Sequence, residues 1–172
     1  MFRIVVLCTL FVIVHSQVTS VSQCVVNPAD LPIHQYVHGC LTPPCLLPQG
    51  QDIVVDVVFR APHTIRRMRT LAKALITIFG STTEINYPLG NNEVTCNFLT
   101  NTYCPVLAGE VVQYTLKMFI ETWFPADFPV TVEFRVVDDK EDAIWCIRVP
   151  ISVIASTAAR ENKINSTAIA ED

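Results

Sequence analysis

The residues of this chain best equipped for chemistry are its sulfurs. Seven cysteines occur; Cys8 lies in a leading apolar run, and Cys24, Cys40, Cys45, Cys96, Cys104 and Cys146 are spread over the body of the chain. At such spacings thiols either ligate a metal or oxidise in pairs. Tetrahedral zinc usually takes its cysteines in C-x-x-C steps, and none occurs here. In an exported chain an even set of cysteines implies disulfides, although spacing alone leaves fifteen pairings open. Proximity favours Cys40 with Cys45 and Cys96 with Cys104, which leaves Cys24 and Cys146 to tie the first strand to the last. On a chain-entropy account the long loop so closed stabilises the fold by about 5 kcal/mol, while the short loops mainly fix local geometry.

The other reactive side chains form no catalytic constellation. His34, His38 and His63 fall in separate connections and read as surface histidines. Asp138, Asp139, Glu141 and Asp142 are dense enough to hold a cation, but they lack the glycine-centred spacing of a calcium loop and read as a solvated turn. There is no G-x-S-x-G, no H-E-x-x-H and no glycine-rich phosphate loop. The chain is therefore read as non-enzymatic, with no cofactor and no metal.

Export is inferred from the start of the chain. Arg3 precedes an apolar run over residues 4–14, interrupted at Thr9, and small polar residues follow. That run is too short for a bilayer core, which needs about 20 residues, and has the layout of a secretory signal peptide. Residues 1–16 are assigned to it, with cleavage as late as residue 20. Residues 17–154 make one domain, and 155–172, where patterning is lost, a flexible tail. The tail carries the sequon Asn165-Ser166-Thr167, so Asn165 is a glycosylation candidate. The expected location is extracellular, with lysosomal delivery as a second destination.

The whole chain has 12 basic and 16 acidic residues, net −4; loss of Arg3 leaves 11 basic residues and a net charge of −5. That balance argues against nucleic acid as a partner. Arg66, Arg67, Arg69 and Lys73 cluster locally and read as a solvated face, with anionic lipid headgroups or an acidic partner as the alternative. Hydrophobic residues reach 51% and charged residues only 16%, more apolar material than a small core requires. The surplus points to an interface or an apolar cavity.

Period-two patterns supply the elements. Residues 40–59 run from a cysteine-flanked Pro-Pro turn into a strand with Ile53, Val55, Val57 and Phe59 on one face. Val112, Tyr114, Leu116, Met118 and Ile120 alternate in a second strand, Phe128, Val130, Val132, Phe134 and Val136 in a third, and Trp145, Ile147, Val149, Ile151 and Val153 in a last one. Cys146 falls in the opposite phase to that last set, which a β-bulge could reconcile with burial. Residues 18–26 are read as a first strand, 27–39 as a connection and 85–87 as a short strand. Residues 68–79 mix a helical stripe (Met68, Leu71, Leu75, Ile78) with a β-rich end and are read as strand. One greasy and one mixed face per strand is the pattern of a two-sheet sandwich. Tyr87, Tyr114, Met118, Phe119, Trp123, Phe124 and Phe128 are read mostly as core, with a few available to line a cavity.

The six cysteines, the C-LTPP-C-LLPQG turn, the Cys104-Pro105 step and the Val132-Glu133-Phe134 triplet, in this order and spacing, resemble the ML family of lipid-recognition domains, in particular its Niemann-Pick type C type-two-like branch. The resemblance spans residues 24–154. It implies an all-β, immunoglobulin-like β-sandwich of about seven strands, the three disulfides named above, and a lipid cavity between the sheets. It places pocket-lining positions at Leu47, Tyr87, Ile120, Phe124, Pro125 and Val130. Two departures stand out: Phe134 replaces the family's usual Trp, and residues 123–129 carry an apparent insertion. The resemblance implies a monomeric secreted carrier of a sterol or fatty-acid-like lipid, passing it to membranes or an acceptor protein. An extracellular recognition module or innate-immune co-receptor is the alternative.

Overall fold

Alternating β-branched and charged residues favour extended chain, because one face can be buried while the other stays wet. The computed structural model describes residues 17–26 and 28–156; the signal peptide assigned to 1–16, most of the tail and Asn165 lie outside them. Among the described residues the strands are β1 (Ser22–Gln23), β2 (His34–Val37), β3 (Cys45–Pro48), β4 (Asp52–Arg60), β5 (Arg69–Ile78), β6 (Ser81–Tyr87), β7 (Val111–Phe119), β8 (Pro129–Val137) and β9 (Ala143–Ile154), with short 3-10 turns at Gly90–Glu93 and Thr95–Phe98.

They form two sheets. One has the order β1-β9-β8-β5-β6, with β3 also pairing β9, and the other the order β2-β4-β7. β1 and β3 share the free edge of β9: β1 is antiparallel at Ile147 and Arg148, β3 parallel along residues 151–154. The inward phases of β4, β7, β8 and β9 meet in one core. At its centre the Trp145 ring lies 6.3 Å from both Phe59 and Tyr114. Tyr114 is a buried phenol, and its hydroxyl is 2.7 Å from Thr70 Oγ1, which in turn is 2.7 Å from Thr95 Oγ1. The chain is all-β, as expected.

Several local expectations are revised. The described residues form nine strands, two of them beyond the seven or so expected. The surplus comes from short pieces: β2 falls inside the stretch read as a connection, and only Val37 of it is buried, so it carries no alternation. Of residues 18–26 only Ser22–Gln23 are strand. Just before them Thr19 is buried, giving its N–H to the Gln35 carbonyl of the other sheet (2.9 Å) and accepting the Val37 N–H at Oγ1 (2.8 Å). This first segment thus crosses between the sheets. Residues 69–78 are strand, and Phe79-Gly80 forms the two-residue hairpin turn that follows, with φ of 50° and 80°.

Disulfides join Cys24 to Cys146, Cys40 to Cys45 and Cys96 to Cys104. No bulge is needed for Cys146. The β1–β9 register sets Cys24 opposite it on the outer face, where it is buried beside Glu133. The irregularity in β9 lies earlier, where Val136 pairs Trp145 but Val137 pairs Ala143. The acidic turn is also not wholly solvated. Asp138 is buried and accepts N–H groups from Lys140 (2.8 Å) and Asp142 (3.0 Å) and a contact from His63 Nε2 (2.9 Å).

Candidate functional site

The two sheets differ in width, and the site follows from that mismatch. β7 is the edge of the narrower sheet, whereas in the wider sheet β5 and β6 continue past β8. Thr70 at the start of β5 still reaches Tyr114 of β7 (2.7 Å), whereas the later inward residues of β5 and β6 face a cavity. Their inward residues are Ala72, Ala74 and Ile76, with Ile85 and Tyr87 across the hairpin. Ala72 is packed in the core, but Ala74, where a core strand would carry valine or leucine, leaves space. What covers it is the 121–128 connection between β7 and β8.

That connection is held at its base. The Ile120 N–H donates to the Gln51 carbonyl (2.9 Å), the Gly50 N–H to the Ile120 carbonyl (2.7 Å), and the Asp127 N–H to the Val153 carbonyl (2.7 Å). Gln49 Nε2 donates to the Phe124 carbonyl. Gly50 has φ +74°, and a Cβ there would meet Thr122 Cγ2 at 3.4 Å. A side chain at that position would therefore be strained in its backbone as well as close to the connection.

Between the β5–β6 overhang and this connection lies an almost wholly apolar cavity of about 330 Å³. Its floor is Ala74, Ile76, Ile85, Val130, Val132, Ile151 and Val153; Met118, Ile120, Phe124 and Phe128 close the other side. Trp123, 71% exposed, and the exposed Pro125 stand at its mouth. The Phe124 ring is 4.5 Å from that of Trp123, edge-on, and 5.8 Å from that of Tyr87. Tyr87 turns its hydroxyl away to donate to the Phe119 carbonyl (2.9 Å) and leaves its ring to the cavity. Burial, aided by the Glu121 charge, pushes the Tyr87 phenol up.

Of the positions named from sequence, Tyr87, Ile120, Phe124, Pro125 and Val130 come together on this cavity. Leu47 does not: it is buried beside Val153, its register partner, one strand further from the opening. The sequence did not place Ala74, Ile76, Ile85, Val132, Ile151 or Val153 on the pocket. Val132, Ile151 and Val153 share the inward phase of their strands and could have been found that way; nothing in the sequence marks Ala74.

Two other places could have suggested chemistry. An open recess of about 540 Å³ is lined by Arg66, Arg67 and Arg69 together with Asp138, Asp139 and Glu141. Arg69 bonds Glu93 (3.2 Å) and Glu141 (2.6 Å), so the basic cluster is partly neutralised, and Lys73 bonds Glu84 (2.9 Å). Among the described residues the sulfurs of Cys24 and Cys146 and a Glu133 oxygen lie within 4.8 Å of one another. Both sulfurs are spent in the disulfide and Glu133 takes Arg148 (2.8 Å), so this is no thiolate site for a metal.

The fold and the cavity define the class, an immunoglobulin-like β-sandwich stapled by disulfides and open at one end between its sheets. The family model described as "ML domain" matches residues 18–153, and the chain belongs to that family. It is 27% identical over 119 residues to the NPC intracellular cholesterol transporter 2 of Bos taurus, covering 69% of this chain and 74% of that protein. To the protein of that name from Mus musculus it is 25% identical over 117 residues, covering 68% and 73%. Its fold is similar to that of a Niemann-Pick type C2 protein from Japanese carpenter ant, with a TM-score of 0.61, 17% identity, and coverage of 78% of this chain and 98% of that one. Among the described residues no helix is long and apolar enough to cross a membrane.

Proposed function

We propose that this protein is a secreted, monomeric carrier that takes one sterol or fatty-acid-like lipid into the cavity between its sheets and delivers it to a membrane or an acceptor protein. The observation that carries the reading is the apolar cavity of about 330 Å³ under the 121–128 connection, within the roughly 300–1,000 Å³ range of small-molecule sites. Relatives named as cholesterol transporters support a lipid as the guest. Ile120 and Val130 act as walls, Tyr87 and Phe124 as an aromatic rim, and Pro125 shapes the mouth; Leu47 backs the wall through Val153. The lining has no nucleophile–base pair, and no covalent step is required.

Energetics agree with reversible carriage. Burying about 500 Å² of lipid surface at about 25 cal/mol/Å² gives on the order of 12 kcal/mol gross. Association and ordering costs reduce this to nanomolar or micromolar affinity. Native mass spectrometry of the purified protein, with a fluorescent-sterol titration, tests the proposal. A bound lipid mass and saturable binding are expected. Failure to bind sterols, fatty acids and phospholipids alike would overturn it.

A further inference from the structure

The deep lining of the cavity (Met118, Ile120, Val132, Ile151 and Val153) offers no hydrogen-bond partner. A lipid head placed there would lose its water without replacement, so the head must stay at the mouth. The lining includes two ionisable side chains of full charge, Lys73 and Glu121. The Lys73 ammonium is already held by Glu84 at 2.9 Å, and Lys73 lies in the strand phase opposite the inward residues Ala72 and Ala74. The Tyr87 hydroxyl is spent on the Phe119 carbonyl. Glu121 is half-buried and has no ion-pair partner among the described residues. It also lies near enough to Tyr87 to help hold that phenol protonated, after burial itself.

We propose, resting on the lipid-site reading above, that Glu121 is a specificity-determining residue: it makes the cavity select lipids with a neutral hydroxyl head over lipids with an ionised carboxylate head. The physical basis is donor and acceptor counting. An ionised Glu121 only accepts. A lipid hydroxyl can donate to it in a charge-assisted bond, stronger than one between neutral groups. A lipid carboxylate has no proton to give, and sets a second negative charge beside the first in a mouth flanked by Trp123, Phe124 and Pro125, where water screens less than in bulk. Among the described residues Lys73 is the one lysine or arginine that lines the cavity, and Glu84 already holds it.

Oleyl alcohol and oleate share a chain and differ at the head, so their affinity ratio reads the head alone. Each is titrated by displacement of a fluorescent sterol from the full disulfide-bonded protein at about pH 8, where a fatty acid is ionised. The parent is expected to bind the alcohol at least about tenfold more tightly than the acid. E121Q should cut that ratio to about threefold or less, mainly by tightening the acid, and E121K should invert it. E121A, which removes the carboxylate without adding a donor, should tighten the acid and weaken the alcohol. If all variants bind both ligands with the parental ratio, the selectivity proposal is overturned while the lipid cavity stands. If the parent binds neither ligand nor the sterol, the cavity reading itself fails and this one with it.

Discussion

Enlarging Ala74 separates a working void from a packing fault. Ala74 faces inward on β5, with Ile85 and Val132 as register partners, and lines the cavity of about 330 Å³. Ala74→Leu adds three carbons, each close to the ~30 Å³ that a water occupies in the liquid, and so fills roughly a quarter of that space. Because they grow into empty volume, the new atoms avoid the strain of overpacking, which costs about 1–3 kcal/mol in a filled core. Burial at about 0.8 kcal/mol per carbon then stabilises the empty protein by up to about 2.4 kcal/mol, or roughly 5–10 °C in its unfolding midpoint for a chain of this size. The guest loses the same room. Giving up three methylene-sized contacts removes about 2.4 kcal/mol of its burial and weakens binding roughly 50-fold. Thermal unfolding without ligand and a fluorescent-sterol titration of the same sample read both effects. A lower midpoint with unchanged affinity would refute the reasoning, because the added atoms would have met packed neighbours and the guest would lie elsewhere.

Two further outcomes follow from the hydrogen-bond geometry. Thr70→Val keeps the shape of the side chain but leaves the buried Thr95 and Tyr114 hydroxyls without their shared partner; a loss of about 1–3 kcal/mol is expected in urea unfolding, and no loss would mean those hydroxyls have other partners. Burial raises the Asp138 carboxyl, but the Lys140 and Asp142 N–H groups and His63 outweigh it and hold it below its ordinary value. A depressed folded value stabilises above the unfolded pKa of about 3.9, and the contribution is lost as pH falls through the folded value. Asp138→Asn is thus expected to be less stable than the parent by about 1–3 kcal/mol near neutral pH, with the gap closing in acid below about pH 4. A gap that stays constant down to the acid limit would assign the loss to shape rather than charge.

The strands legible in the sequence are those that bury one face along their whole length. β4 alternates without a break, with Ile53, Val55, Val57 and Phe59 all buried, as does β7; β8 and β9 keep their inward phase buried but also bury outward residues such as Glu133 and Cys146. β6 could not be read in the same way, because Ser81–Asn86 are exposed on both faces and only the ladder to β5 makes them a strand. β1 and β3 are too short to carry a period. Asp138 was hidden for a different reason: an acidic run shows charge, but not that one carboxylate accepts the N–H groups two and four residues on. Leu47 is apolar, buried and in a strand, as a pocket residue would be. Its distance from the opening is set by sheet order alone, with β9 standing between β3 and the cavity.

β5 shows why the site itself was the least legible part. Its inward phase holds Thr70, Ala72, Ala74 and Ile76, so the residues that should announce a core strand are a hydroxyl and two methyl groups. Its outward phase holds Leu71 and Leu75, and with Met68 and Ile78 these produced the helical stripe. Both alanines blur the pattern, and Ala74 does so for the same reason that it opens the cavity: a larger side chain there would have filled the gap between the sheets. At the other end of the same sandwich Trp145 fills the gap between Phe59 and Tyr114, and all three rings are buried. The open end is therefore a local choice of small residues on an overhanging strand, set in a frame whose sheets are already fixed by the Trp145 core and the long Cys24–Cys146 link.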